Sequence, residues 1–139
     1  MKMMHALVVA LVCVSLHSGC GSTTPVVQSL DEVTGKVLLP QGVALKGGKL
    51  VLRPAGGLRR PVAADIQQDG TFVLDSSAEK APVLPGTYDV YLVFDDTPQG
   101  RKLQRSVPAK YRKLTDEDSD VSVTLDETPQ EVLVRLKRG

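Results

Sequence analysis

From Val33 to the C-terminus, apolar residues alternate with polar ones over short runs, and each run stops at Gly, Pro or Asp. A period of two puts alternate side chains on opposite faces of a strand, whereas an amphipathic helix needs a period near 3.6. Few windows have the helical period. Val33, Gly35 and Val37 form one such run, Leu50 and Leu52 a second, and Val62, Ala64 and Ile66 a third. Thr71 to Leu74 follows the turn pair Asp69-Gly70, which predicts a hairpin corner.

The longest run is Gly86 to Phe94, with Tyr88, Val90, Leu92 and Phe94 on the face expected at the centre of the core. Asp89, Tyr91 and Val93 fall on the face expected to be less buried. Val121 to Leu125 and Val132 to Leu136 close the set. About seven short strands separated by turn residues predict an all-β fold, an antiparallel Greek-key sandwich of two packed sheets over residues 31–139. Thr97 to Asp120 is the longest break in the strand pattern and holds most of the clustered charge, so a special site is best sought there.

Ahead of the sandwich, Lys2 precedes an apolar run from Ala6 to Leu16 and a small-residue close at Ser18 and Gly19. That is the layout of an export signal. The run is about eleven residues, short of the roughly 20 that a membrane-spanning helix needs. Ser18-Gly19-Cys20 resembles a bacterial lipobox, with His17 standing where Leu is commonest. The expectation is a signal peptide over 1–19, a lipidated Cys20 as mature N-terminus, and a flexible tether over 20–30 interrupted by Pro25. Gly21, rather than Asp, favours the outer membrane or cell surface. Once the signal is removed, Cys20 is the one cysteine left, so no intrachain disulfide is available and packing must hold the fold. The formal charge is +1, there is no Trp, and no stripe alternates basic with aromatic residues. Nucleic acid is therefore not an expected partner.

Read together, VTGKVLLPQGVALKGGKLVLRP, DGTFVL, LPGTYDVYLVF and VPAKYRKLTDEDSDVSVTL resemble the small carboxypeptidase regulatory-like lipoproteins of planctomycetes. The matching positions are Gly35, Gly47, Gly48 and Pro54, then Asp69, Gly70, Thr71 and Phe72, then Gly86, Tyr88 and Val90, then Val107, Pro108, Lys110 and Tyr111. The resemblance spans about Val33 to Leu136 and implies a transthyretin-like (prealbumin-like) sandwich. It implies no carboxypeptidase activity, since that belongs to a neighbouring domain absent here. The sequence departs from the family after Lys110-Tyr111, where a Ser or Thr cluster gives way to the acidic run Asp116 to Asp120.

Both histidines, His5 and His17, lie in the signal segment, and Cys20 is consumed by lipid, so Ser-His, Cys-His and His- or Cys-ligated zinc sites have no residues to use. A Ser-Lys pair, Ser106 with Lys102 or Lys110, is the remaining nucleophilic arrangement. Asp116, Asp118, Asp120 and Glu127 carry the spacing of an EF-hand calcium loop, yet Val121 stands where that loop requires Gly. The bland alternative is a solvated acidic loop before a strand. Between Arg101 and Lys113 the basic residues, with Arg105, Lys110 and Arg112 beside Tyr111, form a candidate binding loop for anionic head groups. The alternative is a solvated loop partly neutralised by the acidic run and pinned by Tyr111 and Pro108. Tyr91 is better read as a cross-strand packing residue than as a ligand contact.

The sequence thus reads as an envelope lipoprotein with a non-catalytic structural or binding module, no cofactor, a membrane partner through its lipid, and an unidentified envelope protein or glycan partner. Exposed aromatics lining one face would favour a carbohydrate-binding module. Convergence of Ser, Lys and a carboxylate in a pocket would favour a hydrolase.

Overall fold

A computed structural model describes residues 29–56, 59–75, 82–112, 119–128 and 131–139. Among these residues, seven strands appear where alternation predicts them: β1 (Glu32–Leu38), β2 (Lys49–Pro54), β3 (Val62–Asp65), β4 (Thr71–Asp75), β5 (Gly86–Val93), β6 (Ser122–Leu125) and β7 (Glu131–Arg135). They form a three-stranded sheet, β4-β1-β7, and a four-stranded sheet, β3-β2-β5-β6. The chain changes sheets between β1 and β2, β3 and β4, β4 and β5, and β6 and β7. The fold is an all-β sandwich.

The inward residues of both sheets make one core. Val33 and Val37 of β1, Phe72 and Leu74 of β4, and Val132 and Val134 of β7 are buried together with Leu50 and Leu52 of β2, Val90 and Leu92 of β5, and Val123 and Leu125 of β6. Full burial of a Val, Leu or Phe side chain stabilises by about 1.5–3 kcal/mol. A mid-strand glycine usually weakens a sheet, but at Gly35 any Cβ would run into the Phe72 ring and the Val132 carbonyl. Gly35 thus lets the β4 aromatic lie across β1.

Leu30, expected at the end of the flexible tether, instead packs in the core and bridges Val83, so the sandwich begins one residue earlier. Three details within the sandwich also differ from the sequence reading. First, Asp69-Gly70 is a corner rather than a hairpin, because β3 and β4 belong to different sheets. Asp69 Oδ1 accepts from the Thr71 N–H at 3.0 Å and from its hydroxyl at 2.6 Å, while Gly70 takes φ +85°. These bonds hold the Asp69 carboxyl below its usual range, the Thr71 hydroxyl contributing most. The turn chemistry was legible; whether the outgoing strand pairs with the incoming one is a tertiary choice. Second, β1 and β7 pair in parallel, Thr34 opposite Glu131 and Leu38 opposite Arg135, whereas the other ladders among the described residues are antiparallel. Parallel neighbours require a long connection, which the first and last strands of the sandwich have. Third, part of the break between β5 and β6 is helical: α1 (Pro98–Ser106), followed by a 3₁₀ turn over Ala109–Tyr111.

Candidate functional site

Helix α1 forms because Thr97 and Pro98 supply a start signal that outweighs a weak apolar pattern. The Thr97 hydroxyl accepts from the Gly100 N–H at 3.0 Å, capping the first turn, and Pro98 fits that turn because its missing N–H is not needed there. Leu103 packs against the core, while Arg101, Lys102 and Arg105 are exposed. Arg101 is tied back to the Asp96 carboxylate at 2.8 Å. Of the predicted binding loop, Arg105 therefore stands on the last helical turn, facing solvent.

The other three residues of that loop bind the fold itself. Tyr111 is fully buried within the core, and its hydroxyl donates to Asp120 Oδ1 at 2.6 Å while accepting from the Lys137 N–H at 3.0 Å. Lys110 Nζ reaches Asp120 Oδ2 at 2.6 Å and the Arg138 carbonyl at 2.9 Å, and Lys137 Nζ donates to the Asp120 carbonyl at 2.9 Å. Arg112 Nε donates to the Val107 carbonyl at 2.8 Å. The 3₁₀ turn, the entry to β6 and the C-terminal segment are thereby tied at one carboxylate. Burial pushes the Asp120 carboxyl up, but bonds from Lys110 and Tyr111 and the nearby lysine charges together hold it below its usual value. Desolvation, with the Asp120 charge beside it, raises the Tyr111 hydroxyl.

Of the calcium-spaced acids, Asp116 and Asp118 lie outside the described residues, as does Cys20. Asp120 already serves Tyr111 and Lys110, and strand β6 runs extended between Asp120 and exposed Glu127. No cluster of three or more metal-ligating side chains occurs among the described residues. For the Ser-Lys arrangement, the Ser106 hydroxyl donates to the Leu103 carbonyl at 2.6 Å, and Lys110 points to Asp120.

A polar unit that sequence reasoning missed lies on the outer face of the four-stranded sheet. Asp89 is 5% exposed and Tyr91 1%, although both alternate with the core residues of β5. Arg53, opposite Asp89 on β2, reaches its carboxylate at 3.3 Å and lies over the Tyr91 ring at 5.0 Å. Strand β5 is thus buried on both faces over its central residues. The available signal was an acid in the middle of the longest strand. Beside this unit, Pro54, Arg59, Pro85 and Tyr88 line a shallow groove where β2 ends and β5 begins.

All five aromatic rings are among the described residues: Phe72, Tyr88, Tyr91 and Tyr111 are buried and Phe94 packs against the core. Neither sheet presents a ring platform. No helix among the described residues is long and apolar enough to cross a membrane. No family model and no curated protein matches the chain. Among solved structures, the chain is similar to the major pilin subunit of Bacillus cereus at 13% identity and a TM-score of 0.42, over 78% of this chain. The chain spans about 30% of the length of that pilin.

Proposed function

We propose that this chain is an exported, lipid-anchored protein of the cell envelope whose β-sandwich is a non-catalytic structural or binding module. Within this reading it is related to the carboxypeptidase regulatory-like lipoproteins and takes part in no acid-base chemistry. The observation that carries the proposal is how the charged side chains of the candidate site are used. Lys110, Asp120, Tyr111 and Arg112 hold segments of the sandwich together, and Asp89 is paired with Arg53. A catalytic carboxylate or amine has to be within reach of the proton that it moves on a substrate, and these groups are engaged with the fold instead. The buried core begins at Leu30, ten positions after Cys20. An extended segment of ten residues reaches about 35 Å, enough to hold a small domain clear of a bilayer surface. The buried aromatics favour a protein or structural role over a glycan-binding face.

The test is intact mass with lipid labelling of the full chain in a bacterial host, wild type against Cys20→Ala. Labelled protein lacking residues 1–19, with the label lost in Cys20→Ala, is the expected result. Unlabelled, full-length wild type overturns the anchor.

A further inference from the structure

Strand β7 closes one side of the three-stranded sheet, and its outer edge, unpaired by any strand among the described residues, has a defined polarity. The Leu136 N–H donates to the Leu38 carbonyl at 2.9 Å. Along a strand the backbone groups alternate in direction, so Val132 and Val134 also bond toward β1, and the N–H and C=O groups of Glu131, Leu133 and Arg135 face outward. The side chains of the same three residues are exposed, and Leu133, at 57%, is the most exposed large apolar residue among those described.

We propose that two copies of this chain pair through β7, antiparallel about a two-fold axis at Leu133. That register sets Leu133 opposite Leu133 of the second copy and Glu131 opposite its Arg135, and the two-fold repeats the charge pair. Outward backbone groups at all three positions make these hydrogen-bonded pairs, joining two three-stranded sheets into one. The segment EVLVR is self-complementary in charge, in apolar contact and in hydrogen-bond direction together.

The other edge strands lack this property. Antiparallel self-pairing of β4 about Val73 opposes Thr71 and Asp75, and self-pairing of β3 opposes Val62 and Asp65, which already reaches Lys49 at 3.5 Å. Strand β6 carries no charge. Charges commonly keep edges apart; opposite charges placed symmetrically about an exposed leucine attract a second copy instead. One five-residue ribbon buries less than the roughly 1,200 Å² of a stable interface, so the pairing is reversible and depends on concentration.

The test is disulfide trapping of the full chain carrying Leu133→Cys, in detergent, against Val73→Cys at the similarly exposed centre of β4. A hydrogen-bonded antiparallel pair holds its Cα atoms about 5.5 Å apart, within the span of a disulfide. Any native thiol that remains is common to both variants, and peptide mass identifies the 133–133 bridge. The expected result is bridging roughly tenfold faster at Leu133→Cys than at Val73→Cys, slowed roughly tenfold by adding Glu131→Arg and recovered by adding Arg135→Glu as well. Equal rates at the two edges, or a Leu133→Cys rate indifferent to the charge changes, overturn the proposal.

Discussion

Two clusters of this molecule are built from a cation, an aspartate and a tyrosine, and they differ chiefly in shelter. On the four-stranded sheet, Arg53 lies 5.0 Å above Tyr91 and 3.3 Å from Asp89. At the C-terminal end, Lys110 lies 5.2 Å above Tyr111 and 2.6 Å from Asp120. The first pair is largely covered, with side chains 18% and 7% exposed; the second is open at 35% and 43%. Water and counterions weaken an open pair, whereas a covered pair keeps its attraction and punishes the loss of either member. The longer contact therefore carries more weight than the shorter one. Burial, not distance, ranks the two clusters.

The largest expected effect is at Arg53. Arg53→Met leaves the Asp89 carboxylate without its cation in a site 5% exposed, and removal of one member of a buried pair costs about 3–5 kcal/mol. Urea unfolding measures this. The double variant Arg53→Met with Asp89→Leu should regain most of the loss, because an apolar pair of similar size needs no partner. A double variant as unstable as the single one would show that the arginine acts through contacts other than the Asp89 pair, its place over Tyr91 among them, and would break the comparison.

The two clusters were also unequally legible in the sequence. Tyr111 pins its loop, the alternative the sequence offered to a binding role, because a tyrosine in a charged loop has few other ways to bury its ring. The Arg53 cluster was not legible, because alternation assigns Asp89 and Tyr91 to an outer face and says nothing about what covers it. Residues 36 positions apart meet there through β2–β5 register, which sequence spacing does not encode. The seven strands were readable since each carries its own period of two. Strand direction for β7 and the corner at Asp69 were not, since both depend on which sheet a strand joins. Helix α1 escaped because Leu103 is its one large apolar residue, too few to make a helical stripe; its Thr97-Pro98 start was the available signal.

An intermediate effect is expected at Tyr111. Tyr111→Phe keeps the buried ring but removes the hydroxyl that donates to Asp120 and accepts from the Lys137 N–H. Loss of these bonds should cost about 1–3 kcal/mol, read from the same urea curves. A loss as large as that of Arg53→Met would mean that the open cluster depends on its buried hydroxyl rather than on its ion pair. A loss near zero would mean that water replaces the hydroxyl freely.

The smallest effect sharpens the comparison by acid and salt. Burial opposes ionisation of Asp120, yet the bonds from Lys110 and Tyr111 outweigh it and lower the folded-state value below the ordinary 3.8. A carboxyl lowered on folding contributes its stability above the unfolded value and loses it as pH falls through the folded one. Lys110→Ala should therefore destabilise less than Tyr111→Phe at neutral pH, and the difference from wild type should shrink in acid as Asp120 is protonated. It should also shrink at about 1 M salt, where screening acts over roughly 3 Å. Urea midpoints for the two proteins, measured at neutral and acid pH and at low and high salt, give the comparison directly. A gap that persists in acid would assign the lysine's contribution to its bond with the Arg138 carbonyl, which acid does not alter, and the open cluster would then be held by a neutral acceptor rather than by charge.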